Sequence, residues 1–290
     1  MSTWTCNGKF PGEPLSNTEK RKHLYHFTSF DTFVKIWLSK ELLFADVRNV
    51  NDLIEQTVQW KLSNPKKLPL IGAIEDGRYA YKQISLTMDF DSYLKGCMSS
   101  MMWGYYADKT NGVCIELNFD KLPLSDGCLH APISYIENVP TSIDVPPNLS
   151  TRNDVEKWII ENRSRFFFTK QSTWREENEY RIVSNSMRAL SIKDAITAVY
   201  VAKFDSDTCK FVLSLVNEDV PVFSLSFQDS SGISIPRTTD AADKRKLMEN
   251  AQKNKANALN SIREQAFDFY NAHKDDWDFP LILKEYIIEK

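Results

Sequence analysis

Histidine and cysteine are scarce in this chain. Its 290 residues include only four histidines and five cysteines, and the cysteines are scattered without a C-x-x-C pair. A metal centre built from several histidines is therefore not expected, and neither is a zinc site or a disulfide framework. An odd number of scattered cysteines is typical of reduced thiols, which predicts a cytoplasmic protein.

Long apolar runs and an excess of basic residues are also missing. No window approaches the roughly 18 consecutive apolar residues of a membrane span, and Met1–Cys6 lacks the basic and apolar regions of a signal peptide. The net charge of -3 gives no bulk sign of a protein that binds duplex nucleic acid constitutively. Phosphate-loop, dinucleotide-binding, zinc-protease and nucleophile-elbow motifs are absent. Function must therefore be sought in local patterns.

The residues that are present predict an α+β fold. Hydrophobic residues make up 42% and aromatic residues 12% of the chain, which suits a globular protein with a core. An amphipathic helix, capped by Thr28 or Ser29, is predicted from the spacing of apolar residues between Phe30 and Leu38. Runs of alternating or buried character predict strands at HLYHFTS, QISLT, GVCIELNF, PISYI, YRIV, AVYVA and PVFSLSF.

Breaks in composition divide the chain into three segments. Residues 1–22, interrupted by glycine and proline, predict a loose N-terminal arm. Residues 23–235 form the α+β domain, with residues 137–152 as a proline-rich surface loop and a helix from about Asp154. Residues 236–290 predict a helical appendage, as one long helix or two with a kink, which could inhibit the domain, dimerise or bind a protein partner.

The stretch WREENEYR, Trp174 to Arg181, concentrates charge in a short space. If ENEYRIV is a strand, its period of two puts Glu177, Glu179 and Arg181 on one face. A helix would instead spread the carboxylates over the surface. The strand formers that follow favour the strand. On one face, the group is either a structural Glu–Arg ion pair or a pair of carboxylates at an active site.

Five blocks of the chain resemble the DUF2971 family of bacterial proteins. They are YHFTS, NDLIE with leucine where proline is usual, SLT at 85–87, MWGYYADKTNGVCI at 102–115 and KQSTWREENEYR at 170–181. The resemblance covers roughly residues 24 to 205. More distantly, YHFTS and the helix after it resemble the opening of the ADP-ribosyltransferase superfamily, in its poly-ADP-ribose polymerase-like and DarT-like members. The glycine usual at the end of that helix is missing from Lys40-Glu41-Leu42.

The second resemblance implies a fold of mixed and antiparallel sheets with flanking helices, and a reaction that consumes NAD⁺ without a metal. His26 would bind a ribose hydroxyl of NAD⁺, with Tyr25 and Thr28 beside it. Glu179 would be catalytic, because a carboxylate stabilises the oxocarbenium-like cation formed when the nicotinamide–ribose bond breaks. Glu177 would position or deprotonate the accepting group.

A second active-site element is expected on a separate part of the chain. Ser85 and Thr87 compete for this role with Tyr105 and Tyr106. An aromatic ring of this block, Trp103 included, can stack on nicotinamide or adenine, since both have π-faces, or can belong to the core.

Two further groups have alternative roles. Arg181, Arg175 or Lys170 could keep the carboxylate pair ionised or bind the pyrophosphate of NAD⁺. The block from Asn51 to Glu55 could cap a helix or border the NAD⁺ site.

The resemblance implies a bacterial toxin or antiphage defence effector that transfers ADP-ribose to a macromolecule or hydrolyses NAD⁺. The acceptor stays open between DNA, RNA, protein and water. The alternative is a non-catalytic ligand-sensing or partner-binding protein on the same fold, with the C-terminal helix as its interaction element.

Overall fold

The computed structural model describes residues 14–238, apart from 53–54, 56–57, 93, 126, 141, 204–205, 218 and 229–232. Within this part of the chain, no helix is long and apolar enough to cross a membrane. The predicted C-terminal appendage lies outside the described residues from 239 onward. The last described strand crosses the predicted boundary at residue 235, since it runs from Ile233 to Thr238.

The described residues form a mixed α+β structure. Its strands are β1 (His23–Thr28), β2 (Glu41–Leu43), β3 (Ala45–Asp46), β4 (Gln59–Leu62), β5 (Lys82–Met88), β6 (Val113–Asn118), β7 (Leu129–Pro132), β8 (Ser134–Ile136), β9 (Ser142–Val145), β10 (Thr169–Gln171), β11 (Glu179–Ser184), β12 (Ala189–Ser191), β13 (Ile196–Val201), β14 (Val222–Gln228) and β15 (Ile233–Thr238). Its α-helices are α1 (Asn17–Lys20), α2 (Phe30–Ser39), α3 (Leu68–Tyr79), α4 (Ser100–Tyr106), α5 (Arg152–Glu161), α6 (Arg163–Phe167) and α7 (Asp207–Leu215).

A nine-stranded sheet organises these elements, in the order β15-β14-β13-β6-β1-β5-β11-β7, with β3 also paired to β5. β13 and β14 run parallel, whereas the other neighbours in this sheet are antiparallel. The sheet is therefore mixed, as expected for an α+β protein.

The pairing of β1 with β5 is short, and this opens the sheet. Only Leu24–Met88 and Tyr25–Thr87 are paired between the two strands. At the other end of β5 the short strand β3 occupies that edge, with Ala45 opposite Gln83. Beyond Tyr25 the two strands separate, and the last residues of β1 face a gap in the sheet.

The sheet packs apolar residues on both faces because side chains alternate along each strand. One face meets helices α2 and α7 in a core cluster that includes Leu24, Phe33, Trp37, Leu86, Ile115, Ile182 and Val212. The other face carries a smaller cluster of Tyr25, Phe27, Trp103, Cys114 and Tyr200 among others. A third cluster lies among α3, α5 and α6 and includes Ile74, Val155, Trp158, Ile159 and Phe166.

Most strands predicted from alternation are confirmed, as is the helix after β1. Ser29, one of the two predicted caps, accepts a hydrogen bond from the backbone N–H of Thr32. Leu24 packs into the cluster on one face of the sheet, whereas Tyr25 and Phe27 pack into the cluster on the other face. Leu24 and His26 therefore alternate with Tyr25 and Phe27, as predicted.

Two predictions about loops are wrong. Residues 137–152 are not loop throughout, because Ser142–Val145 forms β9 and pairs in parallel with β4. Residues 14–22 of the predicted arm include helix α1, where Ser16 and Glu19 form a reciprocal capping box. Such a box satisfies backbone donors that an isolated short helix leaves open.

The turn that includes Asn111 and Gly112 joins helix α4 to strand β6. The left-handed residues are Asp108, Lys109 and Thr110, at φ 44°, 51° and 76°. Gly112 is required for a different reason: a Cβ there would lie 2.1 Å from the carbonyl oxygen of Thr28. The close approach of this turn to the end of β1 thus depends on glycine.

Candidate functional site

The gap between β1 and β5 opens into a cavity of about 760 Å³. Its wall includes residues of strand β1, strand β5, helix α4 and the start of strand β11. Among them are the predicted site residues Tyr25, His26, Thr28, Ser85, Thr87, Tyr105, Tyr106, Glu177, Glu179 and Arg181. Blocks that are far apart in the sequence therefore converge on one space.

A network of buried charges closes one side of this cavity. Glu179 accepts from Arg181 through both oxygens, from Nε at 2.7 Å and from Nη2 at 2.9 Å. Lys170 Nζ lies 2.5 Å from Glu177 Oε2 and 3.5 Å from Glu179 Oε2. Arg181 Nη1 donates to Glu55 Oε1 at 2.6 Å. These five residues, which we call the ion network, are all largely withdrawn from solvent.

Charge pairing inside the protein fixes the ionisation of the network. Burial would raise the pKa of Glu179, but the adjacent Arg181 and Lys170 outweigh it and hold that pKa at about 2. Burial would likewise lower the pKa of Lys170, yet Glu179 and Glu177 raise it. For Glu55 burial prevails over Arg181, and the pKa is raised. Glu179 is thus an ionised carboxylate, and it is not suited to accept a proton near neutral pH.

The local backbone brings Glu177 and Glu179 together in a way that differs from the prediction. Ser172–Glu177 forms a 3-10 helix, Asn178 adopts a left-handed conformation at φ 45°, and β11 begins only at Glu179. Glu177 therefore shares no strand face with Glu179, although both contact Lys170. The side-chain amide of Asn178 donates to the carbonyls of Met88 and Asp89 at 3.1 and 2.9 Å, which ties the turn to the end of β5.

Glu177 is held from the other side by Tyr106. The Tyr106 hydroxyl donates to Glu177 Oε1 at 2.5 Å and accepts from Asn51 Nδ2 at 3.3 Å. Burial, with Glu177 next, raises the pKa of Tyr106, so that the phenol stays protonated. Tyr105 is 69% exposed at the mouth of the cavity. The two tyrosine candidates for the second active-site element therefore differ. Tyr106 is hydrogen-bonded inside the protein, whereas the Tyr105 ring is exposed and can contact a ligand.

His26 reaches the cavity from the opposite side of the sheet to Glu179. By register, Glu179 is opposite Thr87, and Thr87 is opposite Tyr25, so Glu179 shares the face of Tyr25. His26 is on the other face and lines the cavity only because β1 and β5 separate. Burial lowers the pKa of His26 to about 4, against a smaller opposing effect of the Ser85 backbone. The imidazole is therefore neutral, with its Nδ1 buried and unpaired among the described residues.

Both hydroxyls of the SLT block lie at the cavity, but in different states. Ser85 is exposed and contributes a hydrogen bond that helps lower the pKa of Glu179. Thr87 is fully buried, and its Oγ1 has no hydrogen-bond partner in the described part of the chain.

Three of the residues predicted to contact a ligand have other partners in the structure. Trp103 does not line the cavity, since its ring packs edge-on against Phe27 at 5.3 Å and its Nε1 donates to the Cys97 carbonyl. Tyr25 contributes to the wall, but its ring is buried against Tyr200. Arg181 is 1% exposed and bonded to Glu179, Glu55 and a backbone carbonyl, which leaves it unsuited to bind a pyrophosphate.

Two members of the ion network have larger roles than their sequence predicts. The block that ends in Glu55 predicts a helix cap or a border of the site, whereas the Glu55 carboxylate pairs with Arg181. Lys170 is one of three candidate cations, and it is the one that contacts both Glu177 and Glu179. Each lies at one end of a conspicuous block, NDLIE or KQSTWREENEYR, and this position is the signal that the sequence offers.

The cavity can bind a polar ligand with an aromatic part. It offers a neutral imidazole, hydroxyl groups, an exposed tyrosine ring and an ionised carboxylate, which together could hold a ribose, a planar base and a developing positive charge. Among the described residues, no cluster of three or more His, Cys, Asp or Glu side chains is arranged to hold a metal ion.

Comparison with known protein families gives a match. Residues 102–182 match the model of a family described as a protein of unknown function, DUF2971. The match includes the MWGYYADKTNGVCI and KQSTWREENEYR blocks, and it confirms the resemblance to that family for this segment. No curated protein and no solved structure matches the chain.

Proposed function

We propose, starting from the match of residues 102–182 to the model of the DUF2971 family, that this protein is an ADP-ribosyltransferase-like enzyme that cleaves NAD⁺. The ADP-ribose would pass to a macromolecule or to water, in the setting of a bacterial toxin or antiphage effector. The fold of the ADP-ribosyltransferase superfamily is part of the same proposal.

One observation carries the proposal. His26 of β1, Ser85 of β5 and Glu179 of β11 line the same cavity, although the three lie far apart in the sequence. Its volume of about 760 Å³ falls within the usual range of small-ligand sites.

Each residue would have a defined role. The neutral His26 ring would donate to or accept from a ribose hydroxyl, and Tyr105 would stack on a base at the mouth. The bond between nicotinamide and the ribose carbon breaks with its electron pair leaving on nicotinamide, and Glu179 stabilises the cationic ribose. The acceptor oxygen or nitrogen then attacks that carbon and loses its proton, which Glu177, a carboxylate in the cavity wall, would accept.

The direct test is nicotinamide release from labelled NAD⁺. Glu179→Gln removes the charge while keeping the shape, and we expect it to lower the rate by about 100-fold or more. Glu176→Gln is the matched control, because Glu176 is exposed and should retain the wild-type rate. Equal rates in wild type and Glu179→Gln would contradict the proposal, provided that both variants unfold at similar temperatures.

The second candidate is a non-catalytic ligand-binding protein. It is favoured by the complete pairing of Glu179, whose oxygens are both bonded to Arg181 in a buried ion network. Saturable NAD⁺ binding by calorimetry without nicotinamide release would support this alternative. His26→Ala should then weaken NAD⁺ binding, and neither this variant nor the wild type should release nicotinamide.

A further inference from the structure

A second cavity, of about 360 Å³, lies on the far side of the ion network. Glu55 and Lys170 line both cavities and separate them. The other residues that matter here are Arg78, Arg165, Val139 and Phe166, which give the second cavity both cationic and apolar walls.

Arg78 is the unusual feature of this second cavity. Its side chain is 2% exposed, and one of its nitrogens, Nη2, donates to the backbone carbonyl of Glu55. Nε and Nη1 are buried, and neither has a hydrogen-bond partner among the described residues. Burial lowers the pKa of Arg78, yet a guanidinium keeps its charge at physiological pH.

Buried donors of a charged group without acceptors are costly to a folded protein. Such a group destabilises the folded protein unless something supplies the missing hydrogen bonds. Here the unpaired nitrogens belong to a residue that lines a cavity of ligand size. An acceptor placed in that cavity would remove the cost.

We propose that the second cavity binds a small molecule through a single oxyanion, a carboxylate or a phosphate, that accepts hydrogen bonds from Arg78. Guanidinium groups form strong charge-assisted bonds with both kinds of oxyanion. Arg165, at the rim, adds positive charge. The acidic residues Asp52 and Glu55 in the wall disfavour a polyanion, and Val139 and Phe166 suit an apolar part of the ligand.

This site does not depend on the proposed NAD⁺ chemistry. Its donors belong to Arg78, which does not line the first cavity. Anion binding can therefore be found in a protein that has no effect on NAD⁺, and NAD⁺ turnover can be found without anion binding.

The experiment titrates the full chain with sodium phosphate, sodium acetate and sodium benzoate at constant ionic strength, with sodium chloride as the reference. Calorimetry measures the heat, and spectra of protein labelled with ¹⁵N-arginine follow the Nε–H resonances. We expect saturable binding of at least one probe and the shift of one buried arginine resonance. Phosphate and carboxylate arms distinguish the two chemistries.

Variants locate the binding. Arg78→Gln should weaken the affinity by about tenfold or more, whereas Arg48→Gln should not change it, because Arg48 is exposed and pairs with Asp46. Val139→Phe fills the cavity without altering Arg78 and should also abolish binding. It keeps the test decisive if Arg78→Gln does not fold. Absence of saturation with all three probes, or undiminished binding in Val139→Phe, would overturn the proposal.

Discussion

Glu179 stays ionised inside the protein because two cations outweigh its loss of water. Such an arrangement contributes to stability only while the carboxylate is charged. Arg181, bonded through two nitrogens, also fixes the orientation of the carboxylate. This single residue thus links the stability of the domain to the chemistry proposed for it.

Acid should therefore remove part of the stability. The pKa of Glu179 is lowered from an ordinary 4.5 to about 2 in the folded protein. Its contribution is fully present above the unfolded value and is lost as the pH falls from about 4.5 towards 2. Comparison of the free energy of unfolding in urea at about pH 7 and about pH 3 should show a larger loss for wild type than for Glu179→Gln, by about 2 kcal/mol.

Glu55 acts in the opposite sense, because its pKa is raised. Its contribution is present at low pH and is lost as the pH rises through its folded value. Glu55→Gln is therefore the control that separates the two carboxylates. The same acid dependence in wild type and Glu179→Gln would show that Arg181 and Lys170 do not lower the pKa of Glu179.

Among the helices and strands, the periodicity of the sequence predicts those elements that depend on the local spacing of apolar residues. Strands β1, β5, β6, β11 and β13 and helix α2 follow from alternation and from a cap. β9 does not, since it exists through parallel pairing with β4, about eighty residues earlier in the chain. Helix α7 has an apolar face and a Ser206 cap, but it is not among the elements that the sequence predicts.

The candidate site was predictable in its residues more than in its geometry. His26, Ser85 and Glu179 all come from recognisable blocks, and they do line one cavity. Their convergence depends on the separation of β1 from β5, a property of the sheet that neither strand encodes alone. For Trp103 the sequence leaves two roles open, stacking on a ligand and packing in the core, and the structure places its ring in the core.

The turn before β11 offers a test at this scale. Asn178 combines a left-handed backbone with two side-chain hydrogen bonds to the end of β5. Asn178→Gly loses the hydrogen bonds but tolerates the conformation, whereas Asn178→Ala loses both. We expect Ala to be less stable than Gly by about 1 kcal/mol in urea unfolding. Equal stability of the two variants would mean that the turn relaxes away from the left-handed region.

At the scale of the whole molecule, the burial of the cysteine thiols shows how well the folded protein excludes solvent from its core. Cys97, Cys114, Cys128 and Cys209 are all buried, and none of them forms a disulfide among the described residues. Burial raises the pKa of Cys97 and Cys114, so their reactive thiolate form is rare as well as inaccessible.

A thiol reagent should therefore detect unfolding of the whole domain. In Cys6→Ser, which retains only these four cysteines, we expect no fast reaction with Ellman's reagent under native conditions and four equivalents in denaturant. The rate should follow the opening of the fold. A native thiol that reacts at the rate of a free cysteine would contradict the described packing.

The close contact at Gly112 limits which substitutions this position can accept during evolution. Any side chain there meets the carbonyl of Thr28, at the end of the strand that carries His26. In a library of all substitutions, position 112 should accept glycine alone, while neighbouring Asn111 should accept many residues. Gly112→Ala should lose folded yield and ligand binding together, as measured by soluble expression and NAD⁺ calorimetry. Selection for ligand binding in the cavity would then preserve Gly112, although this residue does not itself contact the ligand.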